Sequence, residues 1–155
     1  MDETRELLRH SVATLAYRAA RAVNDAPESF AGFDGAGRRP DQILAHMGDL
    51  LDWSLSMADG KQAWHDSPPL AWERGTARFF AAIEAFDRRS ASDVPPACPA
   101  EKLFQGPIAD ALTHVGQIAM LRRLAGCPFH GENYFLADIV TGRVGAEQAK
   151  PAAEF

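Results

Sequence analysis

The sequence predicts an all-α protein in which four helices form one bundle. Three observations predict this class. Four segments repeat apolar residues at spacings of three and four, connections rich in proline and glycine separate them, and helix start and stop signals mark most of their ends. The segments span about 4–24, 40–59, 68–90 and 106–125. Because 155 residues with 46% hydrophobic content are typical of one globular domain, a single domain over 1–155 is expected.

The first two segments each carry one apolar face. In the first segment this face consists of Leu8, Val12, Leu15, Ala19 and Val23. The second segment is expected to begin at Pro40, because proline suits the first helical position, and to stop at the glycine signal Gly60. Within it, His46 follows Ile43 by three residues and precedes Leu50 by four. Its side chain is therefore expected to point inward or along the edge of the buried face.

The third and fourth segments also have an inner face. Ser67-Pro68-Pro69 predicts a capped start for the third segment, and an aromatic face typical of a core follows it. That face consists of Trp72, Thr76, Phe79, Phe80, Ile83 and Phe86. The fourth segment is expected to begin near Gly106-Pro107 and to end at Gly126. Beside its apolar stripe it carries a partly polar row, expected to face the interior, made of Asp110, His114, Gln117 and Leu121.

The tail, residues 127–155, shows no long period and is expected to pack over one end of the bundle. A short helix is predicted over about 134–141, with Phe135 and Ile139 as its anchors. The chain shows no internal repeat and no low-complexity segment.

Charge and composition exclude several classes of protein. The formal net charge is -5 and both signs are interspersed, which argues against nucleic-acid binding because phosphate recognition needs a basic face. No apolar run approaches the roughly 18 residues of a membrane span, so no membrane association is expected. The acidic N-terminal residues contain no apolar signal segment, and we expect a cytoplasmic protein. Cys98 and Cys127 form no Cys-x-x-Cys pair, so reduced thiols are expected.

The spacing of Asp110 and His114 is the clearest chemical signal in the sequence. Side chains four residues apart on a helix stand one above the other, about 5–6 Å apart at their Cβ atoms, so both can contact one ion. His46 is the other histidine on a strongly predicted apolar face, and it is the third candidate ligand. Two histidines and one carboxylate suit a divalent zinc, nickel or iron ion and leave positions open for water or a substrate atom. An ion pair between Asp110 and a histidine, or exposure of these side chains, are the alternatives to a metal site.

Further polar residues are candidates for the surroundings of this site. Three residues are expected to support a ligand or line the pocket, namely Gln117, Asp49 and Trp53. The remaining histidines, His10, His65 and His130, are expected to face solvent. Only a tail folded over the pocket would bring His130 and Asn133 to the site.

Two stretches of the sequence resemble the DinB-like proteins, a family related to bacterial YfiT-type and mycothiol-dependent enzymes. They are residues 43–53, ILAHMGDLLDW, and 109–118, ADALTHVGQI, and the likeness covers about 1–126. The resemblance implies a four-helix bundle of up-down-down-up order with a metal held by three side chains, usually all histidine. By this likeness the ligands are His46, Asp110 and His114, with an aspartate where a histidine is usual.

The resemblance also implies a function. Characterised relatives resemble thiol-dependent transferases or isomerases, in which a metal binds and acidifies a low-molecular-weight thiol, and the same site would suit hydrolysis by water. The reactive group is then the metal-bound thiolate or water, the substrate is an unidentified small molecule, and a homodimer is expected. The alternatives are a metal-binding or stress-response module without turnover, and a polar network without metal.

Overall fold

Most of the residues are helical in the computed structural model, which describes residues 2–35 and 37–155. The α-helices are α1 (Glu3–Val23), α2 (Pro40–Ala58), α3 (Trp72–Ala91), α4 (Ala100–Leu103) and α5 (Ala109–Leu124). Single 3-10 segments occupy Glu28–Gly32 and Tyr134–Leu136, and a π-helical turn, Phe104–Ile108, joins α4 to α5. The described residues contain no β-strand, only an isolated bridge between Glu132 and Glu154. The all-α prediction is confirmed.

Local chemistry sets the ends of the first two helices. The Asp2 side chain accepts a hydrogen bond of 2.8 Å from the Arg5 N–H and so caps α1. Helix α2 begins at Pro40, as predicted, and Gln42 accepts a 2.9 Å hydrogen bond from the preceding Arg39 N–H. Gly60 follows α2 with a φ of 71°, a left-handed conformation that glycine adopts without strain.

Helix α3 begins at Trp72, later than the predicted start at residue 68. The Ser67 N–H donates a 2.8 Å hydrogen bond to the Asp49 carboxylate on α2. Ser67 therefore belongs to a loop fastened to α2, and it does not cap α3.

The predicted fourth helix also starts elsewhere. Helical backbone is already present at Ala100, before the predicted start near Gly106-Pro107, and it is interrupted by the π-helical turn. Pro107 lies inside this turn and has no N–H to donate to the preceding turn of helix. The Ala109 N–H bonds to the Phe104 carbonyl five residues back, and this wider turn accommodates the proline before α5 continues.

Arginine side chains fix α3 against α2. Arg78 donates a 3.0 Å hydrogen bond to the Ala45 carbonyl, and Arg89 donates a 2.8 Å hydrogen bond to the Ala58 carbonyl. The later residue of α3 contacts the later residue of α2. The two helices therefore run in the same direction. Gly48 permits the crossing, since a Cβ there would lie 2.2 Å from the Arg78 guanidinium.

Helix α1 packs between α3 and α5. Arg9 binds the Asp87 carboxylate at 2.9 Å, and the Trp72 indole donates a 3.0 Å hydrogen bond to the Val23 carbonyl, so α1 and α3 run in opposite directions. The shared core contains the predicted aromatic face of α3 and apolar residues from the other helices. Its largest fully buried side chains are Tyr17, Phe30, Phe79, Phe86, Leu15, Leu44, Met47, Leu51, Ile83, Leu103, Ile108 and Ile118. None of the described helices combines the length and apolar character needed to cross a membrane.

The C-terminal tail packs along the side of α1, and the prediction that it covers one end of the bundle is wrong. Asn24 donates a 3.0 Å hydrogen bond to the Ala146 carbonyl, while Gly142 lies beside Arg9 near the other end of α1. Val144 is buried between these contacts.

The predicted helix over 134–141 is only the 3-10 segment Tyr134–Leu136. Phe135 does not anchor it, because its side chain is 94% exposed. Ile139, the other predicted anchor, packs partly buried against the core, and Glu132 adds an anchor by accepting a 2.5 Å hydrogen bond from the buried Tyr17 hydroxyl. Burial and this hydrogen bond raise the pKa of Tyr17, so the phenol stays protonated and donates.

We predict that Tyr17→Phe destabilises the protein by about 1–3 kcal/mol, since it leaves the buried Glu132 carboxylate without its hydroxyl donor at little change in volume. The free energy of unfolding in urea at neutral pH measures this. Glu154→Gln is the matched control, because it removes the more exposed ion pair with Arg21 and should cost at most about 1 kcal/mol. Equal effects of the two substitutions would contradict this account of the tail.

Candidate metal centre

The three candidate ligands meet where α2 passes α5. Asp110 Oδ2 lies 3.6 Å from His46 Nε2, and Asp110 Oδ1 lies 3.5 Å from His114 Nε2. One ligand atom from each residue lies within 4.8 Å of the other two. Trp53 follows His46 on α2, and it lies near Gly106, which precedes Asp110 in the chain. Later residues of α2 therefore meet earlier residues on the α5 side, so the two helices run in opposite directions here. The four-residue spacing on α5 and the position of His46 on α2 together create the cluster.

The three side chains form a gradient from the interior to solvent. The His114 side chain is 11% exposed, His46 is 22% exposed and Asp110 is 48% exposed. Asp110 was expected on an inward-facing row, and the structure places it at the rim instead. Its charge is therefore partly hydrated, and burial alone does not require a partner for it. The cluster is open to a small molecule on the Asp110 side.

The distances fit a bridging cation better than direct hydrogen bonds. Both Asp110–histidine separations exceed the 2.7–3.2 Å of a well-formed hydrogen bond. Ligands bound to zinc at about 2.0–2.2 Å lie about 3.3–3.6 Å apart around a tetrahedral ion. The two measured separations fall in that interval, one to each carboxylate oxygen, and ligand atoms of the two histidines lie within 4.8 Å of each other, so the three residues can approach one divalent ion.

Gln117 holds the His114 ring in position. Its Oε1 atom lies 2.8 Å from His114 Nδ1, so the ring nitrogen donates to the amide oxygen and carries the proton. In the neutral imidazole with this tautomer, His114 Nε2, which faces Asp110, carries the lone pair. Such outer hydrogen bonds select the tautomer and orientation of histidine ligands.

His46 lies in a setting that favours its neutral form. Burial lowers the pKa of His46 from its ordinary value of 6.5, the nearby His114 and Arg38 lower it further, and Asp110 opposes the shift. Neutral imidazole is the form that binds a metal ion.

Aromatic rings cover one side of the cluster. The His46 ring meets His114 edge to face at 4.9 Å between ring centroids, and it meets Trp64 in the same way at 5.6 Å. Trp53, a predicted pocket residue, packs on Trp64 at 5.9 Å. Trp64 was missed because it lies in the loop between α2 and α3, where helical periodicity carries no information. A tryptophan within an otherwise polar loop was the signal available.

A second group of potential ligands surrounds Asp49, another predicted pocket residue. Its carboxylate and that of Asp52 both contact His65 at 3.2 Å, and the three residues offer atoms close enough to share an ion. Arg78 already lies 2.6 Å from Asp49 and 2.8 Å from Asp52. Because this guanidinium supplies the neutralising charge, the second group fits a metal less well than the His46 cluster.

The other histidines lie away from the cluster. His10 and His130 are exposed, and His65 is 51% exposed although it pairs with the α2 carboxylates. The His130 carbonyl accepts a 3.0 Å hydrogen bond from Arg21 on α1, and Asn133 accepts one from the Phe135 N–H. The tail therefore holds His130 and Asn133 beside α1.

Two cavities flank the cluster, and Arg38 lines both. A cavity of about 430 Å³ beside His114 is lined by Ile43, Gln117, Met120, Leu121 and Leu124. A more polar cavity of about 200 Å³ beside His46 is lined by Gln42, Asp49, Asp66, Ser67 and Pro69. The cluster thus lies between an apolar and a polar binding surface.

Comparisons with protein-family models, with curated proteins and with solved structures found no match for this chain.

We predict that Gln117→Leu weakens metal binding about 10–100-fold, because it removes the acceptor that orients His114. Competition with a chromogenic chelator measures the dissociation constant for zinc. Gln117→Glu keeps an acceptor at the same position and should retain affinity within a few fold. If both variants bind zinc as the wild type does, Gln117 does not support the site.

Acidification should release the metal only below neutral pH. Because the pKa of His46 lies below 6.5, His46 is neutral at pH 7, and protons compete with the metal for this ligand as the pH falls through that lower value. Zinc affinity should be nearly constant from pH 8 to pH 7 and then fall by about tenfold per pH unit for each ligand that is protonated. Arg38→Gln should move the fall to higher pH, since Arg38 helps to lower this pKa. A fall that begins above pH 7 in the wild type would contradict the prediction.

Proposed function

We propose that the protein is a metal-dependent enzyme of the DinB-like type, in which His46, Asp110 and His114 hold one divalent ion that activates a thiol or water. The single observation that carries the proposal is the spacing of the three donors. Separations of 3.5 and 3.6 Å match ligands around one ion, and they are longer than direct hydrogen bonds. Two imidazoles and one carboxylate suit zinc, nickel or ferrous iron.

The arrangement of the helices supports the DinB-like assignment. The contacts of α2 with α3, of α1 with α3 and of α2 with the start of α5 are those expected of the up-down-down-up order that the resemblance implies. The long connections before α2 and before α3 also agree with it.

The residues around the cluster orient one ligand, keep another in its neutral form and leave one side of the cluster open to solvent. Gln117 orients His114, burial keeps His46 neutral, and the half-exposed Asp110 leaves one side open to solvent. A divalent cation held by His46, Asp110 and His114 would supply Lewis acidity, lowering the pKa of a thiol or of water enough to give a nucleophile at neutral pH. The flanking cavities provide space for an electrophilic substrate next to that nucleophile.

A metal-binding module without turnover is the second candidate function. The open side of the cluster favours an enzyme, because structural zinc sites are usually closed by four protein ligands.

Two measurements test the proposal. Protein purified without added metal should contain close to one equivalent of a transition metal by mass spectrometry, and His114→Ala should contain less than about a tenth of an equivalent. His10→Ala, which removes an exposed histidine of α1, is the control and should keep the metal.

The loaded protein should then accelerate the reaction of a low-molecular-weight thiol with a chlorinated dinitrobenzene. In that reaction the sulfur–carbon bond forms, the carbon–chlorine bond breaks, and chloride and a proton leave.

The outcomes separate the alternatives. Wild-type protein with less than about a tenth of an equivalent of metal overturns both the enzyme and the metal-binding module, and leaves a polar network. Bound metal without turnover of thiols or simple esters favours the module.

A further inference from the structure

The cavity beside His114 combines an apolar surface with one cationic side chain at its mouth. We propose that it binds a small organic anion, with Arg38 holding the anionic group and the apolar body lying on Ile43, Met120, Leu121 and Leu124. As the substrate class of the same site, this inference rests on the proposed function.

The apolar part of the cavity is only partly covered by the protein itself. Ile43 and Leu121 are buried at its base, whereas Met120 is 52% exposed and Leu124 is 58% exposed. Both exposed side chains follow His114 along α5, so a ligand lying on them extends directly from the candidate metal centre. Covering them removes apolar surface from water, which favours binding. A volume of about 430 Å³ suits a molecule of small-ligand size.

Arg38 supplies the charge selectivity. It lines this cavity and also the polar cavity beside His46, so its side chain lies at the junction of the two. Among the described residues no carboxylate lies within ion-pair distance of Arg38, whereas the adjacent Arg39 is paired with Asp41 at 3.0 Å. An arginine guanidinium binds a carboxylate through two parallel hydrogen bonds. The structure therefore offers a free cationic group beside an apolar surface, the complement of an amphipathic anion.

A small molecule fits this surface better than a protein partner does. The surface is concave, and its base is formed by the buried side chains of Ile43, His114 and Leu121, which a flat partner surface cannot reach. Its single cation also distinguishes it from the cavity between α1 and α4, whose lining includes Leu7, Phe104 and the acidic Glu101.

Calorimetry with octanoate and octanol as probes tests the proposal. Titrations use the full chain after treatment with a chelator, so that no metal contributes to carboxylate binding. Octanoate should bind about fivefold more tightly than octanol, the preference expected for one exposed charge pair. Arg38→Gln should abolish the preference, and the control Arg123→Gln, which removes an exposed arginine outside the cavity, should preserve it. Leu124→Gln should weaken both probes equally.

Each contrary outcome is distinct. Equal binding of both probes by the wild type, or an octanoate preference that survives Arg38→Gln, overturns the proposal. Affinity that falls as the protein concentration rises shows that a second copy of the chain covers this face, and also overturns it. Because the titrations use metal-free protein, failure to bind metal leaves their result unchanged, and the failures of the two proposals can be told apart.

Discussion

The crossing of Arg78 over α2 at Gly48 is the contact on which the geometry of the site depends. The guanidinium reaches the Ala45 carbonyl and the carboxylates of Asp49 and Asp52, so it fixes the position of α3 along α2. Glycine at position 48 lets the guanidinium lie in this place, since a Cβ there would overlap it and the arginine would have to shift. The same stretch of α2 carries His46, whose ring contacts Asp110 and His114 on α5.

Asp49 extends this constraint to the loop before α3. One carboxylate oxygen binds Arg78 and the other accepts a hydrogen bond from the Ser67 N–H. His65 adds contacts to both α2 carboxylates. The loop is thereby held against α2, and Trp64 lies edge to face against His46. The charged network around Asp49 thus supplies an aromatic wall for the candidate metal centre.

The candidate ligands lie at the boundary between the buried core and solvent, a position that suits a reactive site. The apolar core and the Tyr17–Glu132 hydrogen bond are buried, and they hold the four main helices and the tail together. The candidate ligands lie at the edge of that core, where His46 is desolvated enough to stay neutral and Asp110 still meets water. A metal ion at such a boundary would be held by a rigid frame while its remaining positions face solvent.

The sequence alone determined the helices and the pairing on α5. Periodicity and end signals located α1 and α2 closely, and the four-residue spacing brought Asp110 and His114 together because a helix places such residues on one face. These features depend on neighbours within one helix, which a sequence displays directly.

Only the tertiary structure decided the rest. The start of α3 was misplaced because Ser67 bonds to Asp49 on another helix, and the π-helical turn and the course of the tail depend on packing. Whether His46 meets Asp110, whether Asp110 is buried, and which loop residue covers the cluster are set by contacts between α2, α5 and the loop. Such contacts join residues far apart in the chain. The spacing of apolar residues and the helix end signals depend only on neighbouring residues, so they cannot predict these contacts.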